Sequence, residues 1–188
     1  MCPRSCIAYT GPYEKLERCP KCREREPRYY RKGKKKIPRQ TFDTHLVGPQ
    51  LQALFLSREH AERMHHRRRL TKRLIDLLKV GGTFDLAEDA FYGSDYLDAA
   101  QPHGDEPPRI KPEDICLMFS VDGAQLYRMK QSDCWIYIWV IFDLAPELRY
   151  KNRYILPGAI IPGPNNPKDL DSFLLPGLYH IAALQREG

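Results

Sequence analysis

Residues 115–188 read ICLMFSVDGAQLYRMKQSDCWIYIWVIFDLAPELRYKNRYILPGAIIPGPNNPKDLDSFLLPGLYHIAALQREG, and this stretch decides the fold. Three apolar runs follow one another. Ile115–Val121 reads as a strand. Residues 134–142, CWIYIWVIF, show no polar alternation and are bulky and β-branched, the pattern of a strand buried on both faces. Tyr154–Ile161 reads as a third strand, interrupted by Pro157 and Gly158. After a Pro- and Asn-rich loop, Leu170, Phe173, Leu174, Leu178, Ile181 and Leu184 recur at helical spacing. Asp169 or Asp171 would cap that helix, and Pro176 should bend or delay it. Asp122 and Gly123 lie between apolar runs, first of all a hairpin-turn signal. Asp122 is also the lone carboxylate at the end of the first run. Asp133, Asp143, Asp169 and Asp171 read as turn and cap residues.

Working outward, the N-terminus carries four of the six cysteines: Cys2, Cys6, Cys19 and Cys22, spaced C-x3-C, twelve residues, C-x2-C. Each pair can form a knuckle presenting two thiolates, and two knuckles make a tetrahedral site for Zn2+. Disulfides would require an oxidising compartment that nothing in the sequence suggests. Cys116 and Cys134 sit in apolar runs and read as core thiols.

The net charge of +6 conceals an asymmetry. Residues 1–80 hold 21 Lys/Arg against 8 Asp/Glu, and residues 81–188 hold 9 against 16. The first half attracts polyanions, and the second could do carboxylate chemistry. Residues 23–39, REREPRYYRKGKKKIPR, contain nine Lys/Arg around Tyr29 and Tyr30. They read as an extended, solvated linker suited to phosphate contact, base stacking or nuclear import. Arg31, Lys32, Lys34, Lys35, Lys36 and Arg39 are its candidate DNA contacts. A short helix is expected over Pro49–Leu56, then a single helix over Arg58–Lys79 with Ser57 as its cap and Gly81–Gly82 as its stop. Ala61, Met64, Leu74, Ile75 and Leu78 make its apolar stripe. Arg63, Arg67, Arg68 and Lys72 add four candidate DNA contacts, or only a solvated face. His60, His65 and His66 read as surface histidines. Residues 82–113 read as an acidic connector with an ordered piece around Phe91–Leu97. No run approaches the roughly 18 apolar residues of a membrane span. With no signal-peptide pattern, a soluble intracellular protein is expected.

Three meandering strands followed by a helix match the opening of a ribonuclease-H-like sheet. At FSVDGAQLY, SDCWIYIWVIFDLAPELRYK and LPGAIIPGPNNPKDLDSFLLPGL the chain resembles eukaryotic CACTA-type (En/Spm-like) transposases. The cysteine motif and TFDTHLVGPQLQALFLSREHAERMHHR resemble the region that precedes the core in that family. The resemblance implies a DDE/D transposase acting in the nucleus on DNA at transposon ends, with Mg2+ or Mn2+ and a possible homo-oligomer. It maps the first metal-binding carboxylate onto Asp122 and places the second and third acids beyond Gly188.

The expected organisation is thus α+β. A zinc module (1–26), a basic linker (27–45), a basic helical segment (46–81), an acidic connector (82–113) and a truncated, partial ribonuclease-H-like core (114–188) follow in turn. Two-metal phosphoryl transfer needs several carboxylates, so one aspartate leaves the chain catalytically incomplete. A non-catalytic zinc-dependent or domesticated transposon-derived DNA-binding protein is the second reading, and a protein-interaction domain is the third.

Overall fold

The computed structural model describes residues 1–22, 25–84, 86–125 and 133–187. The protein is mixed α+β with antiparallel sheets. Strands β1 (Tyr29–Lys32) and β2 (Lys35–Pro38) form a hairpin of their own. Strands β3 (Asp43–Thr44), β4 (Leu117–Gln125), β5 (Asp133–Ile141) and β6 (Ile155–Pro162) make a four-stranded sheet in the order β3-β6-β5-β4. The helices are α1 (Val47–Phe55), α2 (Arg58–Met64), α3 (His66–Lys79), α4 (Ser94–Ala99), α5 (Pro146–Arg149) and α6 (Asp171–Glu187). The five successive segments of the sequence reading regroup into two units interleaved along the chain. One comprises Met1–Leu51, Phe119–Trp139 and Leu156–Gly188, the other Gln52–Met118 and Val140–Ile155.

In the first unit, Phe173 of α6 is fully buried with Met1, Ala8 and Ile161, and Phe42, Trp135 and Leu170 pack around them. Tyr137 of β5 explains two glycines. A methyl group at Gly158 would lie 1.8 Å from its ring, and one at Gly177 would lie 2.3 Å from its hydroxyl. Pro157 and Gly158 therefore do not interrupt β6. The glycine makes room for Tyr137, and the Pro157 carbonyl accepts a 3.0 Å bond from the Gln50 amide. Pro176 does not delay α6, which begins five residues earlier, at Asp171. A proline here leaves the Ser172 carbonyl without its helical donor, and the Thr10 hydroxyl donates to that carbonyl instead. Asp169 fills the expected capping role by accepting from the Ser172 N–H at 3.3 Å.

Asp122 and Gly123 do not form a turn. Both lie inside β4, which runs on to Gln125. Gly123 faces the indole of Trp135, whose Cε2 would approach an added methyl group to 3.2 Å. A side chain there would press on the indole, and the position of both residues inside β4 overturns the hairpin-turn reading.

The second unit is built around Leu70, Leu74, Phe91 and Leu97, with Phe142, Tyr92 and Tyr96 against them. The connector thus supplies core anchors at the ordered piece expected around Phe91–Leu97. The single helix expected over Arg58–Lys79 is two helices, separated at His65 (φ −89°, ψ 9°). No glycine or proline lies there. The Arg67 N–H points to the Asp143 carbonyl at 3.3 Å, and a tertiary partner has displaced the helical one. Ser57 makes no side-chain cap to α2.

Arg67 itself is among the largest fully buried side chains of the described residues. Its Nε donates to Asp143 Oδ1 at 2.7 Å. Nη1 reaches the Tyr96 hydroxyl at 3.1 Å, and Nη2 meets the carbonyls of Lys111, Pro112 and Asp114. The other Asp143 oxygen takes the Cys116 N–H at 2.6 Å. Burial alone would lower the Arg67 pKa, but Asp143 and Tyr96 more than offset it, and the guanidinium is held charged above its ordinary range. A second buried pair, Arg149 Nη2 to Asp89 Oδ2 at 2.7 Å, stands in the same unit. Asp143, expected only to shape a turn, is half of a buried ion pair.

Candidate metal centre and nucleic-acid interface

The four N-terminal thiols are brought together and buried. Relative exposures are 0% for Cys2, 2% for Cys6, 1% for Cys19 and 7% for Cys22. Their sulfurs all lie within 4.8 Å of one another. Two separations are 3.3 Å (Cys2–Cys22) and 3.5 Å (Cys6–Cys22). A disulfide requires about 2.05 Å, and all four cysteines are free. A tetrahedron with metal–sulfur bonds of ~2.3 Å has an edge of roughly 3.8 Å, so the donors fit a thiophilic cation. Burial pushes the Cys6 thiol up to about 11 and raises Cys22 as well. Four thiolates cannot share this dry space without a positive centre to hold them.

The local folding of the knuckles follows from short-range bonds. The Ser5 N–H returns to the Cys2 carbonyl at 2.9 Å, the Cys2 N–H bonds the Ile7 carbonyl at 2.9 Å, and the Arg4 N–H points at the Cys2 sulfur at 3.4 Å. Ser5 sits at φ 58°, a left-handed conformation uncommon for a residue with a side chain. It is retained because the serine hydroxyl donates to the Pro162 carbonyl at 3.0 Å. Residues 162–172, from the end of β6 to the first turn of α6, clamp the module from far along the chain. The N–H groups of Lys168 and Asp169 both bond the Cys6 carbonyl, at 3.0 and 3.1 Å. The Ala8 N–H bonds Ser172 Oγ at 2.9 Å, and the Tyr13 hydroxyl bonds Asp169 Oδ2 at 2.6 Å. Sequence spacing could propose the ligands, but nothing local disclosed this clamp.

The stretch 27–39 is a hairpin, which corrects the extended-linker reading. Its pairs are Tyr29↔Pro38, Tyr30↔Ile37, Arg31↔Lys36 and Lys32↔Lys35. The loop is Gly33–Lys34, with φ 62° at the glycine and no positive φ at the lysine, the pattern of a type II′ turn. That Gly-X signal was present in the sequence, hidden by the surrounding charge. The hairpin is tied to the cysteine module. The Arg28 guanidinium lies 4.6 Å from the Tyr9 ring centre and donates to the Glu14 carbonyl at 2.8 Å. Lys36 pairs with Glu17 at 2.8 Å. Arg31, Lys32, Lys34, Lys35, Lys36 and Arg39 are all exposed.

The basic helices divide. Arg68 and Lys72 are exposed on α3, but Lys72 bonds Asp76 at 2.5 Å and Arg68 faces Glu113 at 3.7 Å. Arg63 is half-buried, donating to the Tyr154 hydroxyl at 2.6 Å and to Glu59. Arg67 is removed from the candidate contacts: its guanidinium is buried on five partners, out of reach of a phosphate.

Asp122 is exposed, and its Oδ1 takes the following Gly123 N–H at 2.7 Å. Among the described residues, no group of three or more His, Cys, Asp or Glu includes it. The histidines do not gather either. His60 packs edge-on against Tyr154, and His66 lies 3.3 Å from Asp89. Cys134 is buried as expected, whereas Cys116 is half-buried. No protein-family model, curated protein sequence or solved structure matches this chain.

Proposed function

We propose that this chain is a zinc-stabilised DNA-binding part of a DDE/D-type transposase, catalytically incomplete as it stands. The observation that carries the reading is the buried four-thiol cluster with an exposed cationic hairpin held to Tyr9, Glu14 and Glu17 of the same module. Cys2, Cys6, Cys19 and Cys22 would hold Zn2+, which supplies fixed geometry and no chemistry. Tyr9, packed against the thiols, and Glu14 hold Arg28, which leads into β1, so the metal would help hold the basic ribbon in one orientation. The sheet order β6-β5-β4 followed by α6 supports a ribonuclease-H-like core, since it places the three long strands in the meander expected of its opening. Nuclear location, transposon-end DNA as partner and a homo-oligomeric complete enzyme follow from the family resemblance and belong to this proposal.

In this reading Asp122 is the first carboxylate of a Mg2+ or Mn2+ site. One carboxylate cannot hold two cations about 3.5–4 Å apart. The isolation of Asp122 among the described residues favours a second reading, a zinc-dependent DNA-binding protein without catalysis. Two measurements test the proposal on the full chain. Elemental analysis should find one zinc per chain. DNA affinity should fall steeply with salt as counterions are released. Zinc-free folded protein, or affinity indifferent to salt, would overturn it.

A further inference from the structure

We infer that the β1–β2 hairpin enters the major groove of duplex DNA. This rests on the DNA-binding reading and adds the element and the groove. Five of the six residues 31–36 are cationic. Two successive rungs, Arg31↔Lys36 and Lys32↔Lys35, set like charges directly opposite one another. Such pairs destabilise a ribbon, and the fold relieves them little. Among the described residues, Lys36 is the one cation of these five in an ion pair, with Glu17. A polyanion relieves what the protein leaves uncompensated. Two of the exposed cations of α3, by contrast, have acids beside them: Asp76 for Lys72 and Glu113 for Arg68.

Shape selects the groove. Four rungs span roughly 13 Å, and the strands lie ~4.8 Å apart. With side chains, such a ribbon suits the major groove, about 12 Å wide and 8.5 Å deep, and exceeds the ~6 Å minor groove. The two faces also differ. On one, Tyr29 has Arg28 at 5.0 Å and Lys36 at 4.6 Å from its ring centre. Alternation puts Tyr30, Lys32, Lys35 and Ile37 on the opposite face, where Tyr30 is 42% exposed with Arg39 5.9 Å from its ring centre. The tip is unencumbered: among the described residues, nothing lies within 4 Å of where a Gly33 side chain would begin. The hairpin would enter tip first, with Lys32 and Lys35 toward the base edges and Arg31 and Lys34 toward phosphates.

The test uses the full-length protein loaded with zinc and a fluorescent DNA duplex. The triple variant Lys32→Glu, Lys34→Glu, Lys35→Glu should weaken binding at least a hundredfold, and the slope of log affinity against log salt should become shallower by about 3. Its zinc content and circular dichroism should match the parent, because all three side chains are exposed. Arg68→Glu with Lys72→Glu should change affinity less than about threefold. A duplex whose cytosines carry glucosylated hydroxymethyl groups, which fill the major groove, should bind about tenfold more weakly. Netropsin in the minor groove should displace nothing. Loss of binding in the α3 variant with the hairpin variant unaffected would overturn the inference and leave the DNA-binding reading standing. Displacement by netropsin, indifference to glucosylation, or tighter binding to single strands or to RNA duplex would overturn it in the same way. Absence of salt-dependent binding to any DNA would overturn both.

Discussion

Arg67→Ala should cost the second unit about 4 kcal/mol. Arg67 is 1% exposed, and its removal leaves the buried Asp143 carboxylate without its countercharge. It also strips donors from three backbone carbonyls and from Tyr96. Breaking a buried ion pair on one side typically costs ~3–5 kcal/mol. The orphaned carbonyls add to this, but water entering the vacated volume returns part of it. With a urea m-value of about 2 kcal/mol/M, the unfolding midpoint of this unit falls by ~1.5–2.5 M. Hydrogen exchange of α3 amides reads the same loss locally. Arg68→Ala, one residue on, is the control. Its side chain is 53% exposed and 3.7 Å from Glu113, so the change should stay within about 0.5 kcal/mol. Should Arg67→Ala prevent folding altogether, Arg67→Lys retains charge with fewer donors and should fall between the two. A cycle with Asp143→Ala should return a coupling energy of at least ~2 kcal/mol. Equal, small effects of Arg67→Ala and Arg68→Ala would refute the reasoning and restore Arg67 to the solvated face.

Metal removal should act on the other unit. Cys19→Ser with Cys22→Ser, or prolonged chelation, should release one zinc per chain and unfold the segment around Ile7 and Tyr9, since structural zinc is worth an apparent ~10–16 kcal/mol; unchanged amide spectra for those residues would count against a structural metal. Tyr137→Phe should be neutral or stabilising by up to about 1 kcal/mol, because the tyrosine hydroxyl is buried and without a partner among the described residues. Gly158→Ala should cost at least ~1–3 kcal/mol, since its methyl group would overlap the Tyr137 ring; thermal unfolding measures both, and the opposite order of effects refutes the packing argument. With Mg2+ or Mn2+ the chain alone should not nick supercoiled DNA, and Asp122→Ala should move stability by no more than about 0.5 kcal/mol; nicking that vanishes in that variant would show that other acids complete the site.

The legible parts of the sequence were those where one physical signal dominated. Residues 134–142 had no polar alternation, and they form most of a central strand. The cysteine spacing announced a four-thiol cluster, and the thiols are together. The misread parts were those where two causes wrote the same residue. Asp-Gly signals a turn, but Asp122 and Gly123 lie inside a strand with Trp135 over the glycine. Arg67 looked like its neighbours Arg68 and Arg69, and only the distant Asp143 makes it different. His65 carries no helix-breaking signature; the helix parts there because a carbonyl 76 residues on captures the Arg67 N–H. The hairpin at 29–38 lacks an alternating apolar face, and its support comes from Glu14, Glu17 and Tyr9, which no window centred on the hairpin contains.

The clamp on the cysteine module has a consequence in time. Ser5 waits for a partner 157 residues downstream, and Ala8 and Thr10 for one more than 160 residues away. At about 5–20 residues per second, a ribosome takes ~8–33 s to deliver that partner. During that interval the knuckles have their thiols but not their seat. The nascent chain is then open to oxidation or to capture of the wrong cation, and metal loading should be secured only once residues 162–172 have been delivered. Ribosome-stalled chains ending before Pro162 should therefore leave Cys6 open to alkylation, whereas chains with Ser172 well clear of the exit tunnel should protect it. Protection already present in the shorter chains would show that the module seats itself unaided.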